Sequence, residues 1–518
     1  MPRQEFLMIA AAKPTSPQPR PLSLDRDQRG HLRRLINLAE QLPDDWSGMM
    51  GRSTLQEDFG ALRFQLAYAC YALALTHVHR LPAAPGLFRE PFARLIEKLC
   101  SPDVWAYWHY VSTGNGVLNH SLGELPAEWN PVIRDNIMYS AYLQSAALLY
   151  HHIFDDARYS EPGALTLTLR PLFWGDGPKI FINDERSLSE HIYWQMVENG
   201  YLGVACEPNC IFQICNQPSI LGFRLEDLIY GGSRAQEVTD GYLRAWAEFG
   251  ISNEAGHFNV MVQQKERSLP SPPSPWSDFW LGALMHAWNP ETVAQHYAVA
   301  RDIWIRPGPA DTAWVDLSQG FARAGLSSAL DFGWAAVCAS EVGDQAVLDG
   351  LLRYADARLH RSWDRGGLFY RRHDTIHDDE GYLAAMDPHS GNVLLGYARL
   401  NVPGGLKAIY EGQWSTARKN TPAIVSIAGR VDLEMAYYDE DARTLHWVAL
   451  PVENEPAIIR FEVGRQPTAA GWELSVDGEV VCSSAGGGNP HINVLIADDT
   501  LSVGLHLSAR TAIALRWY

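Results

Sequence analysis

Hydrophobic periodicity changes once along this chain, near residue 420, and the change divides the chain into two unequal parts. Before it, apolar residues recur every three or four positions, the spacing that places them on one face of a helix. Eleven segments show this pattern: 27–41, 61–79, 91–100, 135–153, 187–200, 217–230, 234–248, 278–288, 293–303, 327–341 and 344–360. Their number is close to the twelve helices of a ring of six helical hairpins. We therefore predict a mainly α fold for this part, an (α/α)6 toroid.

After residue 420 the pattern becomes the two-residue alternation of β-strands. Eight short segments follow at roughly ten-residue spacing, which is typical of an antiparallel β-sandwich. They are 423–429, 432–439, 444–452, 457–464, 472–481, 492–499, 501–508 and 511–518. Asp477-Gly478 has the composition of a two-residue hairpin turn.

These patterns predict three regions along the chain. A Pro-rich, disordered leader occupies residues 1–22, the toroid residues 23–415 and a β-rich C-terminal domain residues 420–518. Two roles stay open for the C-terminal domain, because it could cover one end of the toroid or contribute to substrate binding.

Charge and composition exclude some classes of protein. The formal net charge of −18 argues against nucleic-acid binding, since a surface that follows phosphates needs clustered Lys and Arg. No apolar run reaches the roughly 18 residues of a membrane-spanning helix, so we expect no stable membrane insertion. The seven cysteines are too few and odd in number for a disulfide framework, which favours free thiols and a cytoplasmic location.

Chemistry is concentrated in residues 201–223, which contain three cysteines, Cys206, Cys210 and Cys215. If Asn216 caps a helix that opens near Pro218, Cys215 lies at the positive end of the helix dipole, where a thiolate is stabilised. A zinc site is an alternative, although the C-x3-C-x4-C spacing lacks the usual C-x2-C pair. The other alternative is that all three cysteines are small buried apolar residues.

The run CEPN-x5-CNQP, in which the first and last cysteines are nine positions apart, resembles the cysteine segment of the linalool dehydratase/isomerase family. The resemblance extends to EDFGALRFQLAY at 57–68, DNIMYSAYL at 135–143 and FWLGALMHAW at 279–288. It implies an (α,α)6 toroid that needs no metal or organic cofactor and that can form a homo-oligomer.

Carried over to this sequence, the resemblance makes Cys206 and Cys215 the thiols at the reacting carbons of the substrate. Asp58 is their acidic partner, and Phe212, between the two cysteines, forms part of the wall of an apolar pocket. Glu207 follows Cys206 directly, so it is either a further carboxylate of the site or one half of a structural salt bridge.

Two positions depart from the family pattern. Phe64 stands where the family has a tyrosine, and Tyr142 stands where a family histidine acts on the substrate hydroxyl. Both changes alter how a substrate oxygen is held and protonated.

The resulting hypothesis is a cofactor-independent lyase or isomerase that acts on a small, apolar, terpenoid-like alcohol or alkene through cysteine and aspartate acid–base chemistry. A terpenoid cyclase that protonates its substrate on the same scaffold is the first alternative. A carbohydrate-active (α/α)6 enzyme is the second, because Asp374 and residues 377–380 offer a cluster of carboxylates. A non-catalytic scaffold predicts instead that the candidate residues do not converge.

Overall fold

The computed structural model describes residues 21–51, 60–114, 116, 119, 121–173, 175–316, 329–486, 492–497 and 499–518. Asp58 and almost all of the predicted leader lie outside the described residues. Within them, the prediction of a helical part followed by a β-rich part is confirmed.

The helices are numbered in chain order. They are α1 (Arg26–Ala39), α2 (Leu62–His79), α3 (Pro85–Leu99), α4 (Pro102–Trp105), α5 (Trp108–Val111), α6 (Ile137–Phe154), α7 (Glu185–Glu198), α8 (Gln213–Tyr230), α9 (Arg234–Trp246), α10 (Pro275–Met285), α11 (Pro290–Trp304), α12 (Ala329–Val342), α13 (Gln345–Arg358), α14 (Leu395–Leu400), α15 (Gly405–Tyr410) and α16 (Thr416–Lys419). Each of the eleven predicted helical segments overlaps one of them.

Six of these helices contact one another in a closed circuit. In the order α2, α6, α8, α10, α12 and α14, each helix contacts the next, and α14 contacts α2. A second helix packs against each member, namely α3, α7, α9, α11, α13 and α1 in the same order. Helices α2 and α6 are buried along almost their whole length, as expected for helices that are apolar on every side.

Short strands in the helical part form four two-stranded sheets. They are β1 (Leu167–Leu169) with β2 (Lys179–Phe181), β3 (Cys210–Phe212) with β4 (Met261–Gln263), β5 (Ile305–Pro307) with β6 (Ala313–Val315), and β7 (Arg361–Asp364) with β8 (Gly367–Tyr370). The pair β3–β4 matters for the site, because it leads directly into α8.

The C-terminal part forms two antiparallel sheets. Its strands are β9 (Ala423–Ala428), β10 (Val431–Asp439), β11 (Thr444–Pro451), β12 (Ala457–Gly464), β13 (Trp472–Val476), β14 (Glu479–Ser483), β15 (Ile492–Ala497), β16 (Thr500–Leu507) and β17 (Thr511–Trp517). The order is β10-β11-β17-β13-β14 in one sheet and β15-β16-β12-β9 in the other. The predicted Asp477-Gly478 turn joins β13 to β14, and both residues have the positive φ that a type I′ turn requires.

The sheets are attached to two helices outside the circuit of six. The amide of Ile424 in β9 donates to the Ala83 carbonyl just before α3, at 2.8 Å. The buried Arg33 guanidinium of α1 pairs with Asp432 of β10 at 2.7 Å. In the described part of the chain, no helix has the length and apolar character needed to cross a membrane.

Candidate active site

The segment that carries the cysteines begins with a tight turn. Cys210 donates its amide to the Glu207 carbonyl at 2.9 Å, and Cys206 donates its amide to the Cys210 carbonyl at 2.8 Å. Pro208 and Asn209 occupy the centre of this turn, and Asn209 has a φ of +72°. Proline followed by an asparagine with positive φ is the sequence that a type II turn favours. The Glu-Pro-Asn sequence therefore sets the position of Cys206 beside the start of β3.

Helix α8 begins four residues earlier than predicted, at Gln213, and the prediction that Asn216 caps it is wrong. The Gln213 amide donates to the Val260 carbonyl beside β4 at 3.1 Å, so a residue distant in sequence supplies the acceptor at the start of the helix. Phe212 is the N-cap residue, and Cys215 lies in the first turn.

Asn216 joins the two cysteine-bearing segments instead of capping the helix. Its side-chain oxygen accepts from the Val204 amide at 2.8 Å, and its side-chain nitrogen donates to the Val204 carbonyl at 3.0 Å. Gly203 allows this close approach, because a Cβ there would lie 2.8 Å from the Asn216 side chain. The bonds fix the segment that leads to Cys206 against the helix that carries Cys215.

Cys206 and Cys215 are free and buried, and their thiols are close enough to interact. Burial raises the pKa of the Cys206 thiol well above its ordinary value, and the neighbouring Cys215 thiol adds to the increase. Cys206 is therefore protonated at neutral pH. The structure brings the two predicted thiols together.

Cys210 has a different environment from this pair. Its sulfur lies 3.5 Å from the side-chain nitrogen of Asn119, whose amide also donates to the Pro208 carbonyl at 2.7 Å. Among the described residues, no group of three or more His, Cys, Asp or Glu side chains is arranged to hold a metal ion.

Tyr142 of α6 belongs to the same site as the thiols. Its hydroxyl lies 3.1 Å from the hydroxyl of Tyr68 in α2. Burial raises the pKa of Tyr142 well above its ordinary value, and charge on Tyr68 or Cys215 would raise it further. The phenol thus stays neutral beside Cys215.

Phe64 lies in a cluster of buried aromatic rings. Its ring is 5.4 Å from those of Tyr142 and Trp280, in edge-on geometry, and 6.1 Å from the imidazole of His389, which is nearly parallel to it. Trp280 stacks on Trp334 at 4.7 Å. The cluster gives the site an apolar wall of aromatic faces.

A buried cation, Arg63, lies against two aromatic rings near the cysteines. The guanidinium of Arg63 is 4.5 Å from the Phe64 ring and 4.2 Å from the Tyr107 ring. Burial raises the pKa of Tyr107, the Arg63 charge opposes the increase, and Glu207 and Cys206 add to it. Glu207 is half-buried next to these groups.

Two further residues were predicted for the site, Phe212 and Asp58. Phe212 is half-buried at the start of α8 and pairs with Met261 across β3 and β4, and its place in the wall of the pocket stays a prediction. Asp58 lies outside the described residues, so its role stays a prediction.

Sequence reasoning missed Tyr68, Tyr107, Trp280 and His389. Tyr68 follows Phe64 by one helical turn, and that spacing was a usable signal. His389 directly precedes a π-helical turn, Ser390–Leu394, a distortion that is frequent at functional sites. Nothing in the local sequence indicated that Tyr107 or Trp280 would meet the other residues.

Three of the four carboxylates considered for sugar chemistry form ion pairs with arginines. Arg358 binds Asp378 at 3.0 Å and Glu380 at 3.2 Å, and Arg372 binds Asp374 at 3.0 Å. This arrangement gives no support to a pair of carboxylates facing each other across a sugar.

Among solved structures, the chain is similar to the Lin0763 protein from Listeria innocua, with 8% identity, a TM-score of 0.41 and coverage of 75% of this chain and 98% of that one. It is also similar to an inactive variant of an α-1,6-mannanase of Salegentibacter sp. HEL1_6, with 11% identity, a TM-score of 0.41 and coverage of 72% and 99%. A third similar structure is a D-mannose isomerase, with 9% identity, a TM-score of 0.41 and coverage of 72% of this chain and 96% of that one. TM-scores this low carry no argument about fold or activity.

The sequence comparison is more informative. The profile of the linalool dehydratase/isomerase family matches residues 63–376, which is more than half of the chain. The matched region contains Phe64, Tyr142, Cys206 and Cys215, the residues that the structure gathers around one site. The chain therefore belongs to the linalool dehydratase/isomerase family.

Proposed function

We propose that this protein is a cofactor-independent lyase or isomerase that removes water from, adds water to, or shifts a double bond in a terpenoid-like alcohol or alkene. The observation that carries the proposal is the pair of free, buried thiols, Cys206 and Cys215, beside the neutral phenol of Tyr142. We further propose that the scaffold is an (α/α)6 toroid, which the closed circuit of α2, α6, α8, α10, α12 and α14 supports.

Dehydration needs an acid directed at the leaving oxygen and a base directed at a neighbouring C–H bond. Cys206 suits the role of acid because burial keeps its thiol protonated. In the proposed step its S–H proton passes to the substrate hydroxyl, the C–O bond breaks and water leaves. Cys215, acting as a thiolate, takes the proton from the neighbouring carbon, and proton exchange between the two sulfurs restores the starting state.

The reaction develops positive charge on the substrate carbons, and the aromatic cluster suits that charge. The faces of Phe64, Trp280 and Trp334 carry negative charge density and are buried away from water. A cation held against them is stabilised without a nucleophile that would capture it. The neighbouring guanidinium of Arg63 lies between the rings of Phe64 and Tyr107 and is stacked on both.

Asp58 completes the proposal as the acidic partner of one thiol. This role rests on the family resemblance alone. A carboxylate beside the thiols would relay the proton that Cys215 collects back to Cys206, which makes Asp58→Asn a variant worth including in any assay.

A cyclase on the same scaffold is the second candidate. Phe64 and Tyr142 are less able to protonate an oxygen than the tyrosine and histidine of the family pattern, and the aromatic rings gathered around Phe64 favour a longer-lived cation. Ring closure would then compete with proton loss. The number of rings in the product separates the two reactions.

The test is product analysis by gas chromatography and mass spectrometry. The purified protein is incubated anaerobically with linalool, geraniol, nerolidol, farnesol and the matching alkenes, beside Cys206→Ala and Cys215→Ala variants. Thiol-dependent turnover is the expected result, and acyclic or cyclic products assign the reaction class. Turnover that survives both substitutions would contradict the acid–base roles of the cysteines.

A further inference from the structure

Residues 251–260, between α9 and β4, form a small hairpin. The Asn259 amide donates to the Ile251 carbonyl at 2.9 Å, and Ser252 pairs with Phe258 as an antiparallel bridge. These bonds let the 251–260 hairpin hold its own shape. Its place in the molecule is set by its contacts with two neighbouring helices.

The first contact is with α10, through the carboxylate of Asp278. One oxygen of this carboxylate accepts from the Phe258 amide at 2.9 Å. The other oxygen lies 2.7 Å from Nδ1 of His257 and accepts from the indole nitrogen of Trp304 at 2.7 Å. All four residues are buried. Because hydrogen bonds to a carboxylate are among the strongest in proteins, Asp278 attaches the 251–260 hairpin firmly to the start of α10.

The second contact is with Gln213, the first residue of α8. Its side-chain nitrogen donates to the carbonyls of Ile251 and Asn259, at 2.9 and 2.6 Å. Its main-chain amide donates to the Val260 carbonyl at 3.1 Å. Gln213 is fully buried, so water does not compete for these bonds. A single residue thus holds three carbonyls at the base of the 251–260 hairpin.

The 251–260 hairpin therefore connects the starts of two helices that carry parts of the candidate site. Cys215 follows Gln213 by two residues, in the first turn of α8. Trp280 follows Asp278 by two residues in α10, and its ring belongs to the aromatic wall. A displacement of the hairpin would move the Cys215 thiol relative to those aromatic faces. A misplacement of about 1 Å can slow a reaction about a hundredfold.

We infer that Asp278 and Gln213 are positioning residues, which use the 251–260 hairpin as a clamp between α10 and α8 to hold the Cys215 thiol in place against the aromatic wall. The inference rests on the proposed function for the role of Cys215. Both residues act through the first turn of α8 and not on the substrate itself.

The first test is a double-mutant cycle on the best substrate of the panel. Asp278→Asn replaces one acceptor by an NH2 group that faces donors, and Gln213→Glu replaces the donor by an oxygen that faces two carbonyls. Each folded variant should lower kcat about tenfold or more and leave KM within about twofold, because the thiol is misplaced while the aromatic wall is unchanged. Since both residues act through one hairpin, the double variant should be little worse than the weaker single variant. If the effects add fully, or if either single variant keeps kcat within about twofold, the inference is overturned.

Two substitutions of His257 test the contact with Asp278 itself. Asparagine places an amide nitrogen close to the position of Nδ1, whereas leucine has no donor. His257→Asn should therefore retain a kcat at least about fivefold higher than that of His257→Leu, since a hydrogen bond to a charged group is lost only in the second variant. Equal kcat values in the two variants would contradict the inference.

Glu341→Gln is the matched control. Glu341 is also a buried carboxylate of a helix, lies 3.2 Å from Nδ1 of His286 and accepts from Asn401 at 3.0 Å, outside the candidate site. This variant should lose stability and keep wild-type kcat. If it lowers kcat as much as Asp278→Asn does, the effect is one of general destabilisation and the inference is overturned.

Amide hydrogen exchange separates this inference from the proposed function. The bond to the Val260 carbonyl protects the Gln213 amide, so Asp278→Asn should speed exchange at Gln213 about tenfold or more, whereas Glu341→Gln should not change it. If the wild type turns over no compound of the panel, the proposed reaction fails, and these exchange rates still decide whether the clamp exists. Unchanged exchange at Gln213 in Asp278→Asn would refute the clamp.

Discussion

Replacing Asn216 by alanine would cut the link between the two cysteine-bearing segments. The Asn216 side chain satisfies both the amide and the carbonyl of Val204, at 2.8 and 3.0 Å, and Val204 is fully buried. After the substitution, both backbone groups remain in the protein interior without a partner. The segment that leads to Cys206 would then no longer be held against α8.

The expected loss of stability follows from those two groups. Leaving a buried donor or acceptor unsatisfied costs about 1 to 3 kcal/mol each. The Asn216→Ala variant should therefore lose about 2 to 6 kcal/mol in its free energy of unfolding. Because the substitution also lets Cys206 move relative to Cys215, kcat should fall by about tenfold to a hundredfold.

Urea unfolding gives the first quantity, and turnover of the best panel substrate at a temperature where the variant is folded gives the second. Asn401→Ala is the matched control, because Asn401 is also buried and donates to Ser340 and Glu341 at 3.2 and 3.0 Å, outside the candidate site. It should lose stability and keep kcat. A loss below about 1 kcal/mol for Asn216→Ala, with wild-type turnover, would refute the reasoning.

Four further predictions concern pH, packing and the rival chemistry. Burial lowers the pKa of His77 to about 4. The unfolded chain then binds more protons than the folded protein between about pH 6.5 and 4, so the free energy of unfolding should fall by about 3 kcal/mol as the pH falls through that window. In urea unfolding, His77→Gln should flatten this dependence on pH. Burial raises the pKa of Cys206. Above about pH 8.5 the unfolded chain loses a proton that the folded protein keeps, so the free energy of unfolding should fall as the pH rises. Cys206→Ala should make this decrease with pH less steep. Gly203 has a φ of +134°, and a Cβ at this position would lie against Asn216. Gly203→Ala should therefore lower the free energy of unfolding in urea by about 1 to 3 kcal/mol. An unchanged unfolding midpoint would contradict this packing. Asp378→Asn should leave terpenoid turnover within twofold, whereas a carboxylate-dependent sugar enzyme would lose its activity.

Local pattern was sufficient to predict much of the fold. Amphipathic spacing predicted the helical segments, and two-residue alternation together with Asp477-Gly478 predicted the C-terminal strands, because these features depend on neighbours in sequence. The start of α8 was wrong by four residues. Its first amide bonds to the Val260 carbonyl, a partner that lies 47 positions away from Gln213 and that no local pattern can show.

The site divides in the same way. Cys206 and Cys215 could be predicted because a turn and a helix start carry both within ten residues. Trp280 and His389 could not, since each comes from a different part of the chain and they meet Tyr68 only through the packing of α2, α10 and the turn before α14. Asn216 was recognised as a capping residue type, but its partner proved to be Val204 rather than its own helix.

The most direct test of the thiol chemistry is deuterium transfer from the solvent. The alkene that matches the best panel alcohol is incubated in D2O with the wild type and with the variants Cys206→Ala, Cys215→Ala and Cys210→Ala. The reverse step moves the proton of the Cys215 sulfur to carbon, so deuterium at carbon is measured by mass spectrometry. If Cys206 and Cys215 exchange protons with the substrate, the wild type and Cys210→Ala will incorporate deuterium and the other two variants will not. Incorporation at the wild-type rate in Cys206→Ala and Cys215→Ala would contradict the proposed mechanism.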